Sequence, residues 1–225
     1  MVFDNHFHLI ELRKPRELAP ELLKAGYSGE ATACFKGEWE AQEELFRTLD
    51  GAGSFRAAFG IHPMSACETI LEDLRKLGEV LERNAGASVG ECGLDRRFPG
   101  YEPGGAQEKV LREQILMAKA LGRRLTLHCV GDNRRLLRLL DEAKFPGDLV
   151  VYFHRFSGDG EIVRAARRYN ARFGNPKHPE CVPKAALCLE TDADQSFNRE
   201  GEPPEELARR LVMTLEANRK RYLGE

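Results

Sequence analysis

Short runs rich in Val, Ile, Phe, Leu and Ala alternate along the chain with longer amphipathic stretches, the pattern of repeated βα units that build a parallel sheet. The apolar runs predict strands at 2–8, 29–35, 55–62, 88–91, 125–129, 149–153, 171–173 and 186–190. Between and after them the 3.6-residue period predicts helices at 16–25, 38–49, 70–84, 106–121, 133–143, 160–169 and 204–222. Pro204 fits the first turn of the last helix, with Glu202, Glu205 and Glu206 near its positive end. No G-x-G-x-x-G fingerprint follows the first strand, so eight strands in this order predict a closed α/β barrel of the TIM (β/α)8 type rather than an open sheet. The seventh βα unit is predicted to be shortened, because "PKHPECVPK" (176–184) carries three prolines. With no solenoid-period repeat and no Gly/Ser-rich linker, residues 1–225 read as a single domain.

Charge and targeting signals narrow the partners. The 34 basic and 36 acidic side chains give a formal net charge of -2, so any phosphate binding must be local. The longest apolar runs, such as Leu149 to Phe153, are far too short to span a bilayer, and "MVFDNHFH" lacks the pattern of a secretion signal. The expectation is a cytoplasmic protein without membrane association. Six cysteines (Cys34, Cys67, Cys92, Cys129, Cys181, Cys188) form no CxxC pair and are read as structural thiols.

Candidate chemistry comes from the histidines. Five of the six (His6, His8, His62, His128, His154) fall at or within one residue of the C-terminal end of a predicted strand, the rim at which barrel active sites are built. His6 and His8 are two apart on one strand and therefore share a face with Asp4. Glu91 of "GECGLD" ends the fourth strand, and Asp192 of "ETDAD" follows the eighth. A lone buried imidazole is more often a hydrogen-bonded core group than a ligand, but donors on so many strand ends of one barrel point to a divalent metal site. His6, His8, Glu91, His128, His154 and Asp192 are the candidate metal ligands. Four histidines favour zinc, manganese or iron, while carboxylates and phosphate also admit magnesium. By alternation Cys92 points away from Glu91 and packs behind the barrel. His178 has no role beyond the surface. Asp95 either orients a ligand or forms a rim ion pair with Arg96 or Arg97.

These residues, in this order, resemble the TatD-like metal-dependent hydrolases, amidohydrolase-type barrels related to deoxyribonucleases. The resemblance rests on "FDNHFHL" (3–9), "GIHP" (60–63), "GECGLD" (90–95), Gln107 with "QILMAKALGRRLTLHC" (114–129), "HRFSG" (154–158) and "ETDAD" (190–194). It implies two divalent ions, one held by His6, His8 and Asp192, the other by His128 and His154, with Glu91 bridging. It also implies that His62 reaches the scissile phosphate or its leaving group. On that reading Gly90 and Gly93 let the backbone pass close to the site.

The activity so implied is metal-activated attack of water on a phosphodiester, with a 3′ to 5′ exonuclease acting on DNA, or a small phosphoester substrate, as the expectation. Asp192 would be a ligand and also the acceptor of the water's proton, or a ligand alone. Arg155, beside His154, is the candidate substrate cation; Arg96, Arg97, Arg134 and Arg135 either hold further phosphates or are solvated. Two departures bear on the substrate: Asp194-Gln195 stand where the family commonly has a proline-aromatic pair, and Val130 where it usually has an arginine. Two alternatives stay open, hydrolysis of a small-molecule amide, lactone or phosphoester, and a noncatalytic metal-binding interaction protein. The carboxylated-lysine branches of the first are disfavoured because no lysine lies between Gly78 and Gly105. No stable protein partner is inferable.

Overall fold

The structure, a computed structural model, describes residues 3–49 and 52–224; Val2, at the start of the first predicted strand, lies outside them. Eight parallel strands pair in chain order: β1 (Phe3–Phe7), β2 (Ser28–Ala33), β3 (Phe55–Phe59), β4 (Ser88–Asp95), β5 (Leu125–Val130), β6 (Val150–Phe153), β7 (Asn170–Gly174) and β8 (Leu187–Cys188). Among the described residues seven α-helices accompany them: α1 (Pro15–Lys24), α2 (Trp39–Thr48), α3 (Leu71–Arg83), α4 (Ala106–Leu121), α5 (Asn133–Glu142), α6 (Gly160–Ala166) and α7 (Pro204–Leu223). Residues 175–186 hold only two 3-10 turns, Pro179–Cys181 and Lys184–Ala186, so the seventh unit is shortened as its prolines dictate.

The barrel closes by an irregular seam. β8 is shorter than predicted because from Leu189 onward the chain leaves β7 and bonds to β1 instead: Asn5 N–H donates to the Leu189 carbonyl (2.8 Å), Asp192 N–H to that of His6 (3.0 Å) and His8 N–H to that of Ala193 (2.8 Å). The result is the predicted TIM-type (β/α)8 barrel.

Helix placement follows from the apolar stripe of each helix. α4 buries Gln107, Val110, Leu111, Gln114, Ile115 and Ala118, one face at i, i+3, i+4 and i+7 spacing, and stops at Gly122 in the left-handed region. α1 and α7 cover β1 from outside, with Leu18, Leu22, Leu207, Leu211 and Phe7 in one cluster. Each such leucine contributes about 1.5–3 kcal/mol by leaving water. Cys92 lies in the other cluster, between sheet and helices, as alternation predicts. The barrel interior is polar: Asp4, His6, Glu30, Thr32, Ser88, Thr126, Tyr152 and Glu190 are all buried. Glu30 accepts there from Ser88 Oγ (2.8 Å) and Thr126 Oγ1 (3.2 Å).

All six cysteines are free; Cys34 and Cys92 are buried, whereas Cys67 and Cys181 are exposed on 3-10 turns rather than packed. No helix among the described residues is long and apolar enough to cross a membrane.

Candidate metal centre

At the C-terminal mouth lies a cavity of about 450 Å³ into which His8, His62, Glu91, His128, His154 and Asp192 all face, with His6 buried beneath. Two local features differ from expectation. β4 does not end at Glu91; it continues to Asp95, because beyond a register shift residues 92–95 pair with residues 127–130 of β5. Glu91 therefore sits inside the barrel, 3 % exposed, below the rim. β3 ends at Phe59, and His62 caps the 3-10 turn Pro63–Glu68, held by its N–H to the Cys34 carbonyl (3.0 Å). The glycines of "GECGLD" are needed for close approach: a Cβ on Gly93, at φ +156°, would stand 1.9 Å from the His128 carbonyl oxygen.

Side-chain donors converge on Glu91. His6 Nε2 and His8 Nε2 are 3.2 Å apart, and Asp192 Oδ1 stands 3.9 and 3.8 Å from them. Two nitrogens on one tetrahedral ion with bonds of about 2.0–2.1 Å sit roughly 3.3 Å apart, so this trio has the shape of a ligand set. Glu91 Oε2 is 3.2 Å from His6 Nε2. Its Oε1 is 2.7 Å from His128 Nδ1 and 3.7 Å from His154 Nε2. Three groups have ligand atoms close enough to share an ion: His6–His8–Asp192, His6–Glu91–His154 and His62–Glu91–His128. His128 and His154 do not fall into one such group; His62 takes the place beside His128.

Three imidazoles show their other nitrogen to an orienting group. His6 Nδ1 meets Thr32 Oγ1 (3.3 Å), His128 Nε2 meets Asp95 Oδ2 (2.9 Å), and His154 Nδ1 meets Glu190 Oε2 (3.2 Å). His8 Nδ1 is buried without a hydrogen bond, with Glu11 Oε1 3.5 Å away. Such outer carboxylates fix ring orientation and tautomer around metals. His62 differs: its Nδ1 accepts from the Met64 N–H (3.1 Å), which leaves Nε2 to carry the proton, 3.9 Å from Glu91. Its free edge donates.

The electrostatics are those of a cation site filled by protons. Burial disfavours imidazolium at His6, yet the Glu91 carboxylate overrides it and pushes the pKa up to about 9. Burial likewise opposes the charge on His128, but hydrogen bonds to Asp95 and Glu91 raise it to about 9. At His8 burial, aided by the charge on His6, lowers the pKa to about 4, and burial does the same at His62. Burial opposes ionisation of Glu91 too, but His154, His6 and His128 hold it well below the usual carboxylate range. The donor chemistry and packing fit divalent ions.

Several contributors lie within the motifs of the resemblance, but nothing in the sequence assigns a role to Glu190, Gln107 or Gln114. Glu190 is fully buried; it accepts from the Tyr152 hydroxyl and from the Arg155 N–H (2.7 Å) while orienting His154. Two residues on one helix face hold the loops: Gln114 bonds both ways to Ile61 (2.8 and 3.1 Å), and Gln107 takes the Asp95 N–H (2.8 Å). Asp95 satisfies both of its readings, since it meets His128 and also Arg97 (2.9 Å to Nε). Arg155 lines the mouth and pairs with Asp192 (2.8 Å). Arg134 pairs with Glu161 and the buried Arg135 with Glu108, so neither faces the cavity. His178 is exposed and outside the site.

A closed (β/α)8 barrel carrying imidazoles and carboxylates at its C-terminal mouth defines the metallohydrolase-type class of barrels. Within it, the model of the family "TatD related DNase" matches residues 3–194, and the chain belongs to that family. It is similar to the uncharacterized metal-dependent hydrolase YabD of Bacillus subtilis, at 29% identity over 60% of this chain and 57% of that protein. It is also similar to the 3′-5′ ssDNA/RNA exonuclease TatD of Cronobacter turicensis, at 33% over 50% and 42% respectively. The chain thus matches only about half the length of these relatives. The solved structure of YJJV, a TatD homologue from Escherichia coli, shares the fold with a TM-score of 0.72 at 24% identity, over 97% of this chain and 96% of that one.

Proposed function

We propose that the chain is, as one barrel domain, a divalent-metal-dependent phosphodiesterase that removes nucleotides from the 3′ end of single-stranded nucleic acid, DNA in the first instance, in the cytoplasm. The observation that carries it is the gathering of His6, His8, His128, His154 and Asp192 around Glu91, with His6, His128 and His154 each backed by an outer oxygen. His6, His8 and Asp192 would hold one ion; His128 and His154, which each face Glu91 Oε1 without being grouped together, would hold the other, and Glu91 would serve both; zinc, manganese, iron and magnesium all suit such donors. Bound there, the ions would lower the pKa of water and offset charge on a phosphoryl oxygen.

The protein's own groups then have defined tasks. Asp192 lies at the mouth and accepts the proton of the attacking water, its oxygen otherwise engaged by Arg155. His62, uncharged and with Nε2–H directed into the cavity, donates to a phosphate oxygen or the leaving group. Arg155 reaches a non-bridging oxygen once it leaves Asp192. Phe35 and Phe98 line the same cavity on either side of His62, with ring centroids 5.9 and 6.2 Å from it, and offer faces on which a terminal base can stack. The relatives named as exonucleases support this reading. Val130 and Gln195, where the chain departs from its family's habit, line the cavity too and bear on which substrate enters.

The test is a 5′-labelled single-stranded DNA oligonucleotide incubated with manganese or magnesium, with His128→Ala as the control. A ladder shortening from the 3′ end, abolished by chelator and in the mutant, is expected. Intact DNA refutes the nuclease reading and directs the assay to small esters and amides.

A further inference from the structure

The opposite end of the barrel holds a second concentration of charge. At the N-terminal mouth a cavity of about 400 Å³ is lined by Arg56, Arg123, Arg124 and Arg172 together with Asn5 and Ser88, and by no carboxylate. Three of these arginines point inward. Arg56 is the register partner of the buried Glu30, and Arg172 is that of Tyr152, which is itself paired with Thr126. Arg124 stands just before β5 and stacks its guanidinium 4.3 Å from the Tyr152 ring.

Little within the protein offsets these charges. Among the described residues, Arg124 is the one of the four that forms an ion pair, with Glu30 Oε1 at 3.6 Å, and its Nε makes no hydrogen bond. Among the described residues Arg56, Arg123 and Arg172 pair with no carboxylate: Arg56 lies 5.1 Å from the Phe3 ring, Arg123 donates to the carbonyls of Leu121, Asn84 and Ala87, and Arg172 to that of Ala171. Guanidinium does not deprotonate in proteins, so beyond the one contact with Glu30 the charge of this mouth is left to water and to anions from outside. Planar forks with spare N–H groups match phosphate oxygens two at a time. In a chain of net charge -2 such an excess reflects placement, not composition.

We propose that this arginine-lined mouth binds a small, multiply charged anion of the phosphate class, free or carried on a nucleotide, at a site separate from the metal centre. Calorimetric titration of inorganic pyrophosphate, and separately of ADP, into the wild-type protein and the Arg56→Gln/Arg172→Gln variant tests it. Pyrophosphate binding at the metal centre is common to both proteins, so their difference reads the N-terminal mouth. The double variant is expected to lose at least about tenfold in affinity, with wild-type binding weakening as KCl is raised. Tighter binding of ADP than of pyrophosphate identifies a nucleotide ligand; the reverse order identifies the free anion. Arg56 is exposed, so Arg56→Gln alone serves should the double variant melt abnormally, with a loss of about threefold expected. Equal affinities in wild type and variants overturn the proposal.

Discussion

Replacing Glu190 by Gln isolates the contribution of a residue that touches neither cavity nor substrate. Its two oxygens serve three groups: Oε1 takes the Arg155 N–H at 2.7 Å, and Oε2 takes the Tyr152 hydroxyl and faces His154 Nδ1 at 3.2 Å. Glutamine keeps the volume but leaves one acceptor. If its NH2 takes the Oε1 position, it opposes the Arg155 N–H and leaves a buried donor unsatisfied, at a cost of about 1–3 kcal/mol. For a chain of this size that is a fall of roughly 3–10 °C in melting temperature. If the NH2 takes the Oε2 position, it donates to His154 Nδ1, moves the ring proton to Nε2 and removes a nitrogen from the metal centre, worth about 10–100-fold in metal affinity. Thermal melts of chelated protein and calorimetric titration with manganese read the two costs separately. An unchanged melting temperature together with unchanged manganese affinity would refute the orienting role of Glu190.

Other perturbations probe different parts of the same geometry. Because His6 and His128 have folded pKa values near 9, above the ordinary 6.5, their stabilising protons are fully present below about pH 6.5 and lost as pH rises through 9. Chelated protein should therefore melt progressively lower across that window, while metal affinity rises, since loading displaces the same protons. Gly93→Ala forces a Cβ into the His128 carbonyl and should cost at least about 3 kcal/mol in urea unfolding, whereas Gly78→Ala, in α3 with nothing within 4 Å, should stabilise by about 0.5–1 kcal/mol. Asp192→Asn should lower hydrolysis of bis-p-nitrophenyl phosphate about 100-fold or more; full metal content with most of the turnover retained would show that Asp192 is a ligand alone.

How much was legible in the sequence varies with the kind of signal. The bounds of α4 were read residue for residue, because an uninterrupted apolar stripe runs up to Gly122. β4 was cut short at Glu91 because glycine ordinarily marks the end of a strand; here Gly90 and Gly93 serve close backbone approach within one, which only the neighbouring β5 reveals. β8 was read as an ordinary strand, since composition does not show that Leu189 changes partner. The placement of histidines at strand ends exposed the centre because period and position coincide there. Glu190 was passed over: an acidic residue at the end of an apolar run looks the same whether it binds water or a buried ring. Arg135 differs from both of its readings, phosphate-holding or solvated, because its helix-start position hides a buried pair with Glu108.

The seam that closes the barrel also completes the candidate donor set, and this bears on synthesis. Asp192 is held in place by the His6 carbonyl, and Asn5 by that of Leu189, so strands separated by more than 180 residues must meet before the donor set exists. Contacts of such sequence separation form late, after their loop entropy has been met by the units between. A nascent chain on the ribosome, with His6 and His8 emerged but Asp192 still unmade, therefore holds an incomplete set of donors. The proposed activity can begin only once the barrel is shut.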